Sequence, residues 1–139
     1  MSPEDNKAII RRYLEEAWNN KNTSVIEEVI APDLIQHIRN VPPGRDGIKK
    51  FFSMIHSAFP DVHFTIEDMI AEGDKVVTRM TSYGKHEKDL PGAPATGNEM
   101  KMTSITIHRI ANGKLVEKWA EKDVMGFLIQ IGVMKPPHK

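Results

Sequence analysis

The chain has 139 residues, 19 basic and 19 acidic side chains, no net formal charge and no cysteine. That length suits one domain with a single core, and an apolar share of 40% fits a globular chain rather than a disordered one. Balanced charge argues against a nucleic-acid partner, whose phosphates call for clustered positive charge, and the missing cysteines exclude disulfides and thiolate metal sites.

Ser2-Pro3-Glu4-Asp5 is polar and acidic, unlike the basic start and apolar run of a signal peptide, and no apolar stretch approaches membrane-spanning length. A cytoplasmic protein without a membrane partner is expected. The same four residues read as a helix start, with Ser2 as cap, Pro3 in the first turn and acids at the positive dipole end. Ile9, Ile10, Tyr13, Leu14, Ala17 and Trp18 then form one apolar stripe, which Asn19-Asn20-Lys21-Asn22 breaks. Thr23 or Ser24 is expected to cap a second helix through Val25, Ile26, Val29 and Ile30, ended by Ala31-Pro32-Asp33. Residues 34–38 read as a short strand and 41–47 as a loop. Ile48, Phe51, Phe52, Ile55 and Phe59 space a third helix, which stops at Pro60. The period then changes to two. Val62, Phe64, Ile66, Met69 and Ile70 mark a strand ended by Glu72-Gly73-Asp74, and residues 76–86 a longer one. Residues 87–97, with two prolines and two glycines, form a loop long enough for a lid or a binding loop. Strands at 100–110 and 114–122, a short helix at 124–131 and a tail at 133–139 complete the chain. Helices first and an antiparallel sheet after is an α+β pattern, with no sign of a second domain, so 1–139 is expected to be one unit.

Asn112-Gly113 between two apolar-rich runs is a type I′ hairpin signal, because both turn residues need positive φ. A two-residue loop places Ala111 opposite Lys114, Ile110 opposite Leu115, His108 opposite Glu117 and Thr106 opposite Trp119. Strict alternation then puts Thr106, His108, Glu117, Trp119, Glu121 and Asp123 on one face, and Ile105, Ile107, Arg109, Val116, Lys118 and Ala120 on the other. An imidazole and carboxylates beside a Trp point to a lined cavity rather than a dry core.

Several segments together resemble the SnoaL-like polyketide cyclase (ester cyclase-like) group of the nuclear transport factor 2-like superfamily. They are Phe59-Pro60-Asp61, Ile66-Glu67-Asp68, Ala71-Glu72-Gly73-Asp74, Arg79, Gly84-Lys85-His86, Gly92-Ala93-Pro94-Ala95-Thr96-Gly97, Arg109 to Lys114, Glu117-Lys118-Trp119, Asp123 and Gln130-Ile131-Gly132. Met80 stands where relatives often carry an aromatic, and Lys85 replaces a Thr. The resemblance implies a cone-shaped α+β fold, a curved antiparallel sheet wrapped around N-terminal helices with an internal pocket. It also implies a homodimer and, at the position of Asp123, an acid/base for intramolecular aldol ring closure without cofactor or metal.

Asp123 is thus a candidate catalytic carboxylate, although an Asp directly before a helix is also a natural N-cap. His108 is the second candidate, placed to polarise a carbonyl or hold an enolate oxygen. Simple alternation sets it about 20 Å from Asp123, too far for a dyad without a bulge. Trp119 is expected to seal the pocket. His86 ends a strand and His37 follows one, and strand ends and loops carry function disproportionately. Tyr13, Trp18 and Met80 are candidate walls for a small hydrophobic ligand, with core packing as the plainer explanation of each. His56 and His63 read as structural or solvent-facing, and His138 sits in the tail. No His spacing predicts a metal site. Three functions fit: a cofactor-independent cyclase or isomerase, a non-catalytic binding protein with the same cavity, or a dimeric stress or interaction protein whose pocket is vestigial.

Overall fold

The computed structural model describes residues 2–39 and 41–137, so His138 lies outside it. Helix α1 (Pro3–Arg12) opens on the expected cap: the Asp5 N–H donates to Ser2 Oγ and the Ser2 N–H returns a bond to Asp5 Oδ2, each at 3.1 Å. The helix continues through Tyr13–Asn19 in wider π turns, a rare geometry often found at functional sites. Tyr13, Leu14, Ala17 and Trp18 of this segment are all buried. Asn19 then bonds the Phe64 backbone in both directions, its amide donating to the carbonyl at 2.9 Å and its Oδ1 accepting from the N–H at 2.7 Å. Neither expected hydroxyl caps α2 (Ser24–Val29), because Ser24 Oγ bonds Asn22 Oδ1 instead.

Strand β1 (Ile30–His37) starts earlier than the sequence pattern indicated and absorbs Pro32. Pro32 is tolerated because β1 is a sheet edge and its pairing is irregular between Ile30 and Ile35. Helix α3 (Gly44–Ala58) is followed by β2 (His63–Glu72), β3 (Lys75–Lys85), β4 (Glu99–Ala111), β5 (Lys114–Lys122) and α4 (Val124–Gln130). The sheet order is β1-β5-β4-β3-β2. Consecutive strands β2 to β5 pair antiparallel as expected, but β1 runs parallel to β5, which makes the sheet mixed. Most of the chain separates β1 from β5, so no hairpin constrains their relative direction.

The result is the α+β cone, an unclosed curved sheet around the N-terminal helices. Ile10, Tyr13, Leu14, Trp18, Val25, Ile26, Ile48, Val76, Met80 and Leu115 belong to the main core. A second cluster, with Phe59, Val62, Ala93, Met100 and Ile131, closes the end where residues 87–97 and α4 meet the sheet. The Gln130 carboxamide clamps α4 there, accepting from the Lys101 N–H at 2.7 Å and donating to the Lys101 carbonyl at 2.9 Å. Among the described residues no helix is long and apolar enough to cross a membrane.

Candidate functional site

The β4–β5 hairpin turns on Asn112 and Gly113, both at positive φ (53° and 75°), and Ala111–Lys114 and Ile110–Leu115 pair as expected. The register then shifts. Val116 has no partner, so Arg109 faces Glu117, His108 faces Lys118, Ile107 faces Trp119 and Ser104 faces Lys122. A one-residue bulge moves every later side chain of the strand to the opposite face. The expected grouping is therefore corrected: Lys118 and Lys122 join His108 and Thr106 on the inner face, while Glu117, Trp119 and Glu121 turn outward.

The inner face and the helices line a cavity of about 240 Å³. Tyr13, Trp18, Phe51, Phe64, Met80 and Phe127 are among its apolar and aromatic walls, and Ser104, Thr106, His108, Lys118 and Lys122 are among its polar ones. Among the described residues no carboxylate lines it, and no group of three or more His, Asp or Glu is placed to hold a metal.

His108 is fully buried, and neither ring nitrogen has a hydrogen-bond partner. Two neighbours in the lining repeat that state, since the Tyr13 hydroxyl and Thr106 Oγ1 are buried and unpartnered, as is Thr78 Oγ1 on β3 outside the lining. Thr78 faces Thr106 across β3 and β4, and the Tyr13 ring meets His108 edge-on at 6.2 Å between centroids. Each unpaired buried polar group costs about 1–3 kcal/mol, so a cluster of them marks a place suited to a polar ligand atom. Burial, with the Lys118 charge as the lesser cause, holds the His108 pKa well below the usual imidazole value, so the ring is neutral at pH 7. Burial pushes the Tyr13 hydroxyl up to about 12. Burial first and Lys122 second bring the Lys118 amine down to about 7, and burial also lowers Lys122.

Of the residues singled out from sequence, His108, Tyr13, Trp18 and Met80 line this cavity. The others lie elsewhere. Asp123 is exposed and caps α4, its Oδ1 accepting from the Gly126 N–H at 3.0 Å. Gly126 permits this, since a Cβ there would lie 2.2 Å from Asp123 Oδ2. Trp119 and His37 are neighbours across β5 and β1 on the outer face, stacked at 5.1 Å, so neither reaches the cavity. His37 Nε2 is 2.7 Å from Glu117 Oε2, and Arg109 donates to Glu117 Oε1 at 2.9 Å. His37 first and Arg109 second hold the Glu117 carboxyl below its usual range. His86 is buried one layer behind the wall, stacked on Phe59 at 5.2 Å with Nδ1 3.1 Å from Thr96 Oγ1. His56 is structural, with ring nitrogens at 3.0 Å from the Phe52 carbonyl and 2.9 Å from the Trp18 carbonyl. Sequence reasoning missed Lys118 and Lys122. The adjacent apolar residues Leu115 and Val116, which break strict alternation, are the one signal that pointed to the bulge.

The family model for the SnoaL-like polyketide cyclase matches residues 8–131. The aklanonic acid methyl ester cyclase DauD of Streptomyces sp. (strain C5) is 26% identical over 138 residues, covering 95% of this chain and 83% of that protein. Among solved structures, IdmH of Streptomyces antibioticus is similar at 32% identity and a TM-score of 0.76, covering 96% of this chain and 100% of that one. TsrD of Streptomyces laurentii superposes with a TM-score of 0.88 at 25% identity, covering 96% and 99%.

Proposed function

The chain belongs to the SnoaL-like polyketide cyclase family, and from that membership we propose a cofactor-independent cyclase or isomerase acting on a small hydrophobic carbonyl compound. The observation that carries this reading is His108, a neutral and unpartnered imidazole at the floor of an apolar cavity. A neutral ring nitrogen is a base that can take a proton from the carbon beside a carbonyl. The unpartnered hydroxyls of Thr106 and Tyr13 supply donors for the enolate oxygen that forms. The same imidazole, now protonated, returns its proton to the alkoxide made when the enolate carbon attacks a second carbonyl. For Asp123 to do this work its carboxylate would have to leave the Gly126 N–H and turn inward, so proton transfer is assigned to His108 and capping to Asp123.

The cavity, at about 240 Å³, is smaller than the roughly 300–1,000 Å³ of ordinary ligand pockets. A compact open-chain diketone suits it better than a multi-ring substrate. The homodimer belongs to the same proposal. Exposed Ile35 and Ile105, both 49% accessible on the outer face, offer apolar area for a second copy, and light scattering at the monomer mass at high concentration would remove that part.

Ring closure of heptane-2,6-dione, followed by NMR, tests the reaction. Closure accelerated by the protein and lost in His108→Gln supports it. Saturable binding with no closure of any open-chain diketone favours the second reading, a non-catalytic binding protein, for which the lack of a carboxylate among the described lining residues speaks.

A further inference from the structure

The proton transfer assigned to His108 leaves the Lys118 amine in the cavity without a task. Lys118 sits directly across β4–β5 from His108 on the same face, where facing Cβ atoms lie about 5 Å apart. Its side chain is almost wholly buried, and its amine makes no hydrogen bond or ion pair among the described residues. The charged and titratable groups around it are His108 from β4, Lys122 from β5 and Tyr13 from the π-helical segment; α3 and α4 present only apolar side chains to the cavity. A largely buried lysine with no carboxylate in the described lining, and with a second lysine nearby, is in the environment in which an amine becomes a nucleophile toward carbonyls.

We propose that Lys118 is a covalent catalytic residue, whose amine condenses with a ketone of the substrate to form an imine beside His108. This rests on the carbonyl-substrate reading above and adds a covalent stage to it. Lys118 Nζ attacks the carbonyl carbon, the carbonyl oxygen leaves as water with both amine protons, and the neutral imine takes one proton from solvent (returned when the iminium is hydrolysed at the end) to become an iminium that acidifies the neighbouring C–H. His108 takes that proton, which leaves an enamine. The enamine carbon bonds to the second carbonyl carbon of the same molecule, and His108 protonates the oxygen whose π bond breaks. One water then adds to the iminium, the C–N bond breaks, and product and free amine are restored. The water released at the start equals the water consumed at the end, and no oxidant or reductant enters.

The amine's lowered pKa fits the role. At about 7, about half of Lys118 is neutral at pH 7, against about one in three thousand for an ordinary lysine.

Acetylacetone is the probe, because a β-dicarbonyl condenses with a free amine to a conjugated enaminone that absorbs in the near ultraviolet and is read by intact mass and peptide mapping. The expected result is one equivalent per chain at pH 7, mapped to the peptide holding Lys118, absent in Lys118→Met and retained in Lys122→Met. The formation rate should rise through a midpoint near pH 7. This second readout uses the unaltered protein and does not depend on the variant folding. Adducts spread over surface lysines, an adduct that persists in Lys118→Met, or a midpoint above pH 10 would each overturn the proposal. An adduct formed without diketone ring closure leaves the nucleophilic amine standing and removes the cyclase reading. Ring closure that survives intact in Lys118→Met removes the covalent stage alone.

Discussion

Replacing Lys118 by Met probes the buried amine through stability rather than turnover. In the unfolded chain this lysine takes up a proton below its ordinary value of 10.5, whereas in the fold it does so only below about 7. Between those values the unfolded state holds more protons, so stability rises with pH across that window. At about 1.4 kcal/mol per unit, the shift costs the folded state about 4 kcal/mol at pH 7, and about 2 kcal/mol of that is recovered by pH 9. Lys118→Met keeps a side chain of similar length and removes the charge. Urea unfolding of both proteins at pH 7 and pH 9 gives the difference of differences, in which the other titrating groups, Lys122 included, largely cancel. The wild type should gain about 2 kcal/mol more than the variant between the two pH values, and the variant should be the more stable protein at pH 7. Parallel pH dependences would refute the burial of an unpaired amine.

Other consequences are direct. Tyr13→Phe removes a buried, unpartnered hydroxyl, so thermal melting should show unchanged or raised stability, by up to about 1 kcal/mol. In the wild type the ultraviolet phenol titration should leave one tyrosine un-ionised until near pH 12, and Tyr13→Phe should abolish that late step. Asp123→Ala should lower stability by about 1 kcal/mol through loss of the α4 cap, measured by urea unfolding. Trp119→Ala and His37→Ala change only the outer face, so diketone ring closure should proceed at the wild-type rate in both. A loss there would mean that the outer stack supports the cavity.

Local chemistry made much of the fold legible. The Ser2 cap, the apolar stripe through Trp18, the Asn112-Gly113 turn and strand β5 sit where spacing and turn preference put them. Those features depend on residues close together in the chain. What failed depends on pairing between distant or irregular segments. The parallel partner of β1 has no local signature. The bulge at Val116 is a single unpaired residue, and the two faces of β5 were polar enough that either phase looked acceptable. That one residue decided the site, since it exchanged Glu117 and Trp119 for Lys118 and Lys122 in the cavity. His108 survived the error because the extra residue lies on β5, so the alternation along β4 is unbroken. A buried lysine is also hard to read in advance, because charged strand residues are ordinarily solvated.

The proton transfer itself is open to one direct measurement, the exchange of the α-hydrogens of heptane-2,6-dione with deuterium from D2O, followed by proton NMR. Wild-type protein and Asp123→Asn should accelerate the exchange alike, and His108→Gln should lose about 10²-fold or more. If Asp123→Asn abolished the exchange and His108→Gln left it unchanged, the base would be the helix-capping carboxylate, and the assignment of the chemistry to the His108 floor of the cavity would be wrong.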